Sequence, residues 1–336
     1  MIKIMFFDSH KILDQVSQKL RLHIEKNEKI CIAVSGGVDS LFLALAIFSY
    51  FEVNRLAINE CHIVIIDHKL RANSTRQALE TEGVLRKYGF ENVTVLTWKH
   101  AHIETGIEEQ ARKARYDLLH DFCENNSIYK LFLAHHLDDQ IETFFMNVFR
   151  GSGTIGLGCM LEKHDKDGIF HIRPLLEIRK HQIIKFMQEN NVYWMEDESN
   201  KDDKFTRNKI RMILDSIGMD DINASRIGNT IFSIQGVNSM IFSDINDILS
   251  SENIIKTSDK ITIETRFFNS LHIQRKIYLI FQIYKEFRLA NKPRFEQISD
   301  LINIIANITQ DHKIVRKIFL SDLNIAISDN EISFSS

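Results

Sequence analysis

The strongest chemical signal in the sequence is the run Ser35-Gly36-Gly37-Val38-Asp39-Ser40, which follows a β-rich stretch at 29–34 and precedes an apolar helical run at 41–48. Adjacent glycines let backbone N–H groups close on phosphate-type oxygens, and the start of a helix adds the positive end of its dipole. Ser35 and Ser40 can donate through their hydroxyls. Asp39 by itself would repel an anion, so its presence in such a cradle points to Mg2+, whose charge offsets both. The spacing lacks the lysine of GxxxxGK[ST], which disfavours a loop that cleaves a terminal phosphate. The competing reading is a tight strand-to-helix connection in which Asp39 and Ser40 merely cap the helix.

Further groups of reactive side chains follow other β-rich runs. Asp67-His68-Lys69-Leu70-Arg71 places a carboxylate, an imidazole and two cations after the run at 62–67. From Ile107, residues Ile107, Ala111, Ala114 and Leu118 form an apolar stripe, with Glu108, Arg112, Arg115 and Tyr116 on another side. Arg112 either pairs with Glu108 on the surface or is aimed at a phosphate. The run Ala134-His135-His136-Leu137-Asp138-Asp139-Gln140 opens a helix whose polar side carries Asp139, Glu142, Thr143 and Arg150. A metal site is one reading of the two histidines and two carboxylates, and capping, above all by Asp138, is the other. Gly151, Gly153, Gly156 and Gly158 read as a flexible lid.

These groups need a frame that carries them to one place. The β-rich runs at 29–34, 62–67, 92–97 and 131–134 alternate with amphipathic stretches, which predicts an α/β fold: a parallel sheet with helices on both faces. Such sheets bind ligands at the carboxyl ends of their strands, where every motif above falls. Ile12, Val16, Leu20 and Ile24 predict a leading helix. Helical periods at 273–287 and 295–308 predict a smaller, mainly helical domain, and runs at 315–320 and 324–334 predict a terminal β-hairpin. The expected division is 1–215 and 216–336.

With 336 residues, 44% hydrophobic and 26% charged, the chain has ordinary globular composition and length for about two domains. No apolar run is long enough to span a bilayer and no secretory signal is apparent, so the expected location is the cytoplasm. Cys31, Cys61, Cys123 and Cys159 show neither paired nor zinc-type spacing. A net charge of −3 leaves nucleic-acid binding open, since a basic stripe on one face suffices. Two stretches qualify: 201–211 has five basic and two acidic residues, and 266–294 has seven basic residues against Glu286 alone. In the second, Tyr278, Phe281, Tyr284 and Phe287 recur at helical spacing, which favours core over base-stacking platforms.

The SGGVDS loop resembles that of the PP-loop (N-type) ATP pyrophosphatases, which implies cleavage of ATP between its α and β phosphates. Together with DHKLR, EEQARKARY, AHHLDDQIETFFMNVFRGSGTIGLGCM, RPLL at 173–176 and WMEDESNKDDKFTRNKIR at 194–211, residues 29–211 resemble the tRNA(Ile)-lysidine synthetases. Lys69 departs from the pattern, which usually has glycine there. The resemblance implies an ATP- and Mg2+-dependent ligase that adenylates the wobble cytidine of isoleucine tRNA with a CAU anticodon and attaches free L-lysine at C2. It implies ATP binding by Ser35, Gly36, Gly37, Val38, Asp39 and Ser40, Mg2+ on Asp39, and a reactive centre of Asp39, Arg112, His135 and Asp139. Arg207, Asn208 and Arg211 are implied tRNA contacts. Asp139 or Glu142 is a candidate for deprotonating the lysine, and Glu196, Asp197 and Glu198 for holding its charges.

The alternatives are a PP-loop tRNA thiolase, an amide-forming PP-loop synthetase for a small metabolite, and a non-catalytic nucleotide- or RNA-binding protein. Relative to longer members of the family, a further C-terminal tRNA-contacting domain is expected to be absent. Binding should then rest on fewer contacts than in those members.

Overall fold

The structure is a computed structural model that describes residues 11–71, 73–100, 105–195, 205–289, 293–308 and 316–336, with the side chains of residues 108, 205–207, 308 and 316 outside the description. Glu196, Asp197, Glu198 and Lys292 lie outside the described residues. Two compact units are present, Met1–Thr143 with Met160–Gly228, and Phe144–Cys159 with Asn229–Ser336. The division therefore falls after Gly228 instead of after residue 215, and the glycine-containing segment belongs to the second unit.

The elements are, in chain order, α1 (Lys11–His23), β1 (Ile30–Val34), α2 (Val38–Val53), β2 (Cys61–Asp67), α3 (Ser74–Lys87), β3 (Asn92–Thr97) and α4 (Ile107–Asn125). After them come β4 (Lys130–Phe132), α5 (Leu137–Phe149), α6 (Thr154–Leu157), β5 (Lys163–Lys166), β6 (Ile169–Ile172), α7 (Lys180–Glu189) and α8 (Phe205–Ser216). The sheet of the first unit runs β3-β2-β1-β4-β6-β5, parallel throughout except for the edge strand β5. Its order reverses direction between β1 and β4, which opens a crevice at their carboxyl ends.

Helix α2 is buried on nearly every side, from Val38 to Phe51, which explains why its sequence is apolar all round rather than striped. It packs in one layer with α1 and α7, where Val16, Leu20, Phe42, Ile183 and Phe186 join the β1 and β2 side chains. On the opposite face α4 buries Leu119 and Cys123 against Cys31, Val64 and Leu131. The α4 stripe is rotated from the expected one: Ile107 is exposed and Leu118 only half-buried, whereas Ala111, Leu119 and Cys123 are buried. Strands β5 and β6 have no counterpart in the sequence reading. They are a hairpin closed by Asp167 and Gly168, both at positive φ. That is the Asp-Gly turn of a two-residue hairpin, a signal present in the sequence.

The second unit contains α9 (Asp221–Leu249) beyond Gly228, then β7 (Ile254–Lys256), β8 (Lys260–Glu264), α10 (Thr265–Ser270), α11 (Ile273–Glu286), α12 (Phe295–Ile308), β9 (Arg316–Leu320), β10 (Leu323–Ile327) and β11 (Glu331–Ser335). The expected terminal hairpin is present as β9–β10, within a five-stranded antiparallel sheet ordered β7-β8-β11-β10-β9. Tyr278 and Tyr284 are fully buried, with Phe281 and Phe287 packed against the same core. The aromatics of α11 are therefore core.

The glycine loop is not an open lid. An added Cβ on Gly153 would lie 2.4 Å from the Phe295 ring, and one on Gly158 would lie 2.8 Å from Asn238 Nδ2. Asn147, Gln235 and Asn238 donate to the carbonyls of Gly156, Gly158 and Thr154. These glycines permit close packing within the second unit.

Phe42 is fully buried and meets Phe186 edge-on, with ring centroids 5.2 Å apart. Phe42→Ala should cost about 3–4 kcal/mol. Urea unfolding would register this as a lower midpoint with an unchanged slope, and an unchanged midpoint would refute it.

Candidate functional site

The loop after β1 is held open by two requirements that only glycine meets. Gly36 has φ +88°, and a Cβ there would lie 2.4 Å from Thr81 Oγ1. The Ser40 hydroxyl accepts from the Ser35 N–H at 3.1 Å and donates to the Gly37 carbonyl at 3.1 Å, folding the loop back over the start of α2. Gly37 supplies no side-chain cap, so the first N–H groups of α2 keep their capacity for an anion. Asp39 stands in that first turn. Its Oδ1 is buried and has no hydrogen-bond partner among the described residues.

Across the crevice, the segment after β4 brings up His135, His136, Asp138 and Asp139. The resemblance implies His135 at the reactive centre, and His136 figures in the sequence only as part of a metal-site reading, yet His136 is the imidazole that reaches the loop. Its Nε2 is 3.7 Å from Asp39 Oδ2, while Nδ1 is 3.7 Å from Asp138 Oδ2 and 3.5 Å from Asp139 Oδ2. Asp139 Oδ2 accepts from the His136 N–H at 3.0 Å, and His136 Nδ1 accepts from the Asp139 N–H at 3.4 Å. The reciprocal pair is a capping box for α5. The expected cap, Asp138, serves another helix: its carboxylate accepts from the Lys180 N–H at 2.7 Å at the start of α7 and from Arg179 Nε at 3.1 Å. Lys180 in turn sets its ammonium 3.5 Å from Asp39 Oδ2. Among the described residues no group of three or more His, Cys, Asp or Glu side chains is arranged to hold a metal ion.

His135 faces a different neighbourhood. Burial, reinforced by Arg173, Arg115 and Arg112 and opposed by Asp139, pushes its imidazole down to about 3. It is therefore neutral near pH 7, with Nδ1 buried and unpartnered among the described residues. Burial alone would raise the Asp139 carboxyl, but His136 and His135 outweigh it and hold the group below the usual range. The structure thus gathers Asp39, His136, Asp139 and Lys180 on one side and His135 with Arg112, Arg115 and Arg173 on the other.

The remaining candidates are placed differently. Arg211 is bidentate on Glu142, at 2.6 and 3.2 Å, which ties α8 to α5 and occupies the Glu142 carboxylate. Asn208 is half-buried on α8, and the Arg207 side chain lies outside the described residues. Asp67 is a structural anchor: it accepts from the Lys69 N–H at 3.0 Å and the Thr75 hydroxyl at 2.7 Å. Lys69 adopts φ +53°, the left-handed shape that glycine favours, and its ammonium lies 3.3 Å from Asp67 Oδ2. The turn keeps its form with a lysine because the buried carboxylate ties down both ends of the residue.

Two outcomes follow from this geometry. Gly36→Ala should lose about 2 kcal/mol or more, since positive φ and the Thr81 clash add, and calorimetry should show a melting point lower by several degrees. The second concerns acid. Burial, then repulsion from Arg173, pushes His171 down to about 3 from an ordinary 6.5, as for His135. The unfolded chain therefore takes up protons first as pH falls below 6.5, and stability present above that value is progressively lost towards pH 3. Unfolding at pH 5 should be easier than at pH 7.5 by roughly 2 kcal/mol for each histidine. His171→Gln should flatten that dependence, and an unaltered slope would contradict the assignment.

Residues 8–216 match a family model described as PP-loop domain. Curated relatives include a tRNA(Ile)-lysidine synthase of Wolbachia sp. subsp. Brugia malayi (strain TRS), 31% identical over 84% of this chain and 65% of that protein. Another, from Mycoplasma mycoides subsp. mycoides SC, is 29% identical over 92% of this chain and 74% of its own. The chain thus spans somewhat less than two thirds of the length of the Wolbachia relative. Among solved structures, the U34-tRNA thiolase NcsA of Methanococcus maripaludis aligns with TM-score 0.56 at 16% identity, covering 66% of this chain and 76% of that one, a likeness of fold. No helix among the described residues is long and apolar enough to cross a membrane. With its glycine loop between β1 and α2 at the crevice where the strand order reverses, and its match across residues 8–216, the chain belongs to the PP-loop domain family.

Proposed function

We propose that this protein is a cytoplasmic tRNA-modifying ligase that adenylates O2 of the wobble cytidine in isoleucine tRNA with ATP, releasing pyrophosphate, and then attaches lysine at C2 with loss of AMP. The observation that carries the reading is the uncapped start of α2 behind Gly36 and Gly37, with the unpartnered Asp39 Oδ1 beside it. This is a cradle for a polyphosphate accompanied by a cation. The likeness to proteins named tRNA(Ile)-lysidine synthase supports the substrate assignment.

Asp39 fits Mg2+, because one oxygen is buried without a partner while the other is balanced by Lys180 and His136. When bound, the ion would offset phosphate charge. The chain's own residues do the rest. Ser35, Gly36, Gly37, Val38 and Ser40 hold the departing pyrophosphate through N–H groups and hydroxyls. Arg112 meets the charge on the adenylate, and His135, held neutral, offers a hydrogen bond without adding to the arginine cluster's charge. The incoming amine must shed a proton before attack. Of the two carboxylates considered, Glu142 is taken by a bidentate Arg211, which leaves Asp139 as the candidate, a weak acceptor because its carboxyl is held below the usual range. In this reading Arg207 and Asn208 contact tRNA backbone from α8, and Arg211 secures that helix to α5.

The cysteines speak against a thiolase. Cys31, Cys61 and Cys123 are fully buried, and burial pushes the Cys159 thiol up to about 12. None presents a thiolate to the crevice.

Incubation with ATP, Mg2+, radiolabelled lysine and either isoleucine CAU tRNA or methionine tRNA tests the proposal. Acid-stable label should appear on the isoleucine tRNA alone. Asp39→Asn and Asp139→Asn should each slow labelling by about 100-fold or more. AMP release with some other RNA or metabolite, and no label, would discard the ligase assignment while keeping the adenylating loop.

A further inference from the structure

Tyr116 lies at the centre of a stack that includes Arg112, and its own ring has no part in the reaction outlined above. Its ring is stacked on His171, with centroids 5.4 Å apart and planes 16° from parallel. The guanidinium carbons of Arg112 and Arg115 lie 5.5 and 5.1 Å from the ring centroid, and Lys166 Nζ lies 5.5 Å from it. Among the described residues neither arginine is paired with a carboxylate.

The stack is itself braced. His171 is buried, and its Nε2 is 2.7 Å from His120 Nε2 on α4, one turn beyond Tyr116. Two residues after His171, the buried Arg173 anchors Nη1 on the Leu161 carbonyl at 2.9 Å and leaves Nε without a partner. Cations crowded about one ring, with no carboxylate partner for the two arginines among the described residues, repel one another, and the π-face offsets that repulsion before a ligand arrives. Such a cluster is pre-organised for an anion. The burial of His171 fixes the ring, and the ring fixes the arginines.

We propose that Tyr116 is a positioning residue whose ring, clamped on His171, holds Arg112 and Arg115 ready for an anionic phosphoryl group of the substrate nucleotide. The assignment rests on the nucleotide reading above for the identity of the anion. The phenolic hydroxyl is dispensable to it, and the aromatic face is not.

The test compares Tyr116→Phe, Tyr116→Leu and Tyr116→Met with the parent protein. Calorimetric affinity for α,β-methylene ATP and the kcat and KM for lysine transfer are measured for each, alongside thermal melts. Phe should stay within about twofold of the parent, while Leu and Met should weaken nucleotide affinity and lower kcat by about tenfold with melting points little changed. Full affinity and rate in the Leu variant would overturn the proposal, as would a Phe variant as impaired as Leu. Failure of both Leu and Met to accumulate as folded protein would overturn it too, by making Tyr116 a folding residue. Affinity for the ATP analogue needs neither tRNA nor lysine. A parent protein that follows the ring series and never labels tRNA would therefore support Tyr116 while sinking the ligase reading.

Discussion

A buried imidazole, His136, standing between Asp39 of α2 and Asp138 and Asp139 of α5, is the interaction on which the arrangement of the crevice depends. Carboxylates this close repel one another, and the cations beside them, Lys180 at Asp39 and Arg179 at Asp138, offset that repulsion. His136 also begins α5, through its reciprocal bonds with Asp139. One side chain thus sets the start of a helix and the spacing between the glycine loop and the carboxylates opposite it. Asp138 extends the same network to α7, whose first residue Lys180 returns to Asp39.

Charge in the first unit is consequently sorted by place. Carboxylates and their balancing cations gather around the β1–β4 crevice, while Arg112, Arg115 and Arg173 lie near His135 without carboxylate partners among the described residues. The proposed adenylating reaction would use such a division: one region to accompany a polyphosphate with a cation, another to meet negative charge on the activated intermediate. Keeping His135 neutral by burial is part of it, because a further positive charge among three guanidiniums would cost more than it returned.

Where the sequence reading and the structure part, the reasons are local. A capping carboxylate is legible from composition, but whether Asp138 or Asp139 caps α5 depends on the approach of α7, which helical periodicity does not report. Arg211 reads in the sequence as a cation available to RNA, whereas in the structure Glu142, 69 positions earlier, faces it. The glycine loop read as mobile because glycines favour flexibility, yet Phe295 and Asn238 fill the space that larger residues would need. By contrast, the β5–β6 hairpin was missed despite its Asp-Gly turn, since a strand composed of Lys163, His164, Asp165 and Lys166 carries no apolar alternation.

The alternation of β1 to β4 with helices, the glycine loop with Asp39, and the helices α11 and α12 followed from sequence alone, because periodicity, turn chemistry and the steric demands of glycine act over a few residues. Tertiary structure alone decided that His136 and not His135 reaches Asp39, that Lys69 holds a glycine-like turn by pairing with buried Asp67, and that Tyr116 gathers two arginines against His171. Each of these is a meeting of side chains from elements distant in the chain or from opposite ends of a turn. Burial and electrostatics settle such meetings only once the sheet has brought the carboxyl ends of its strands together.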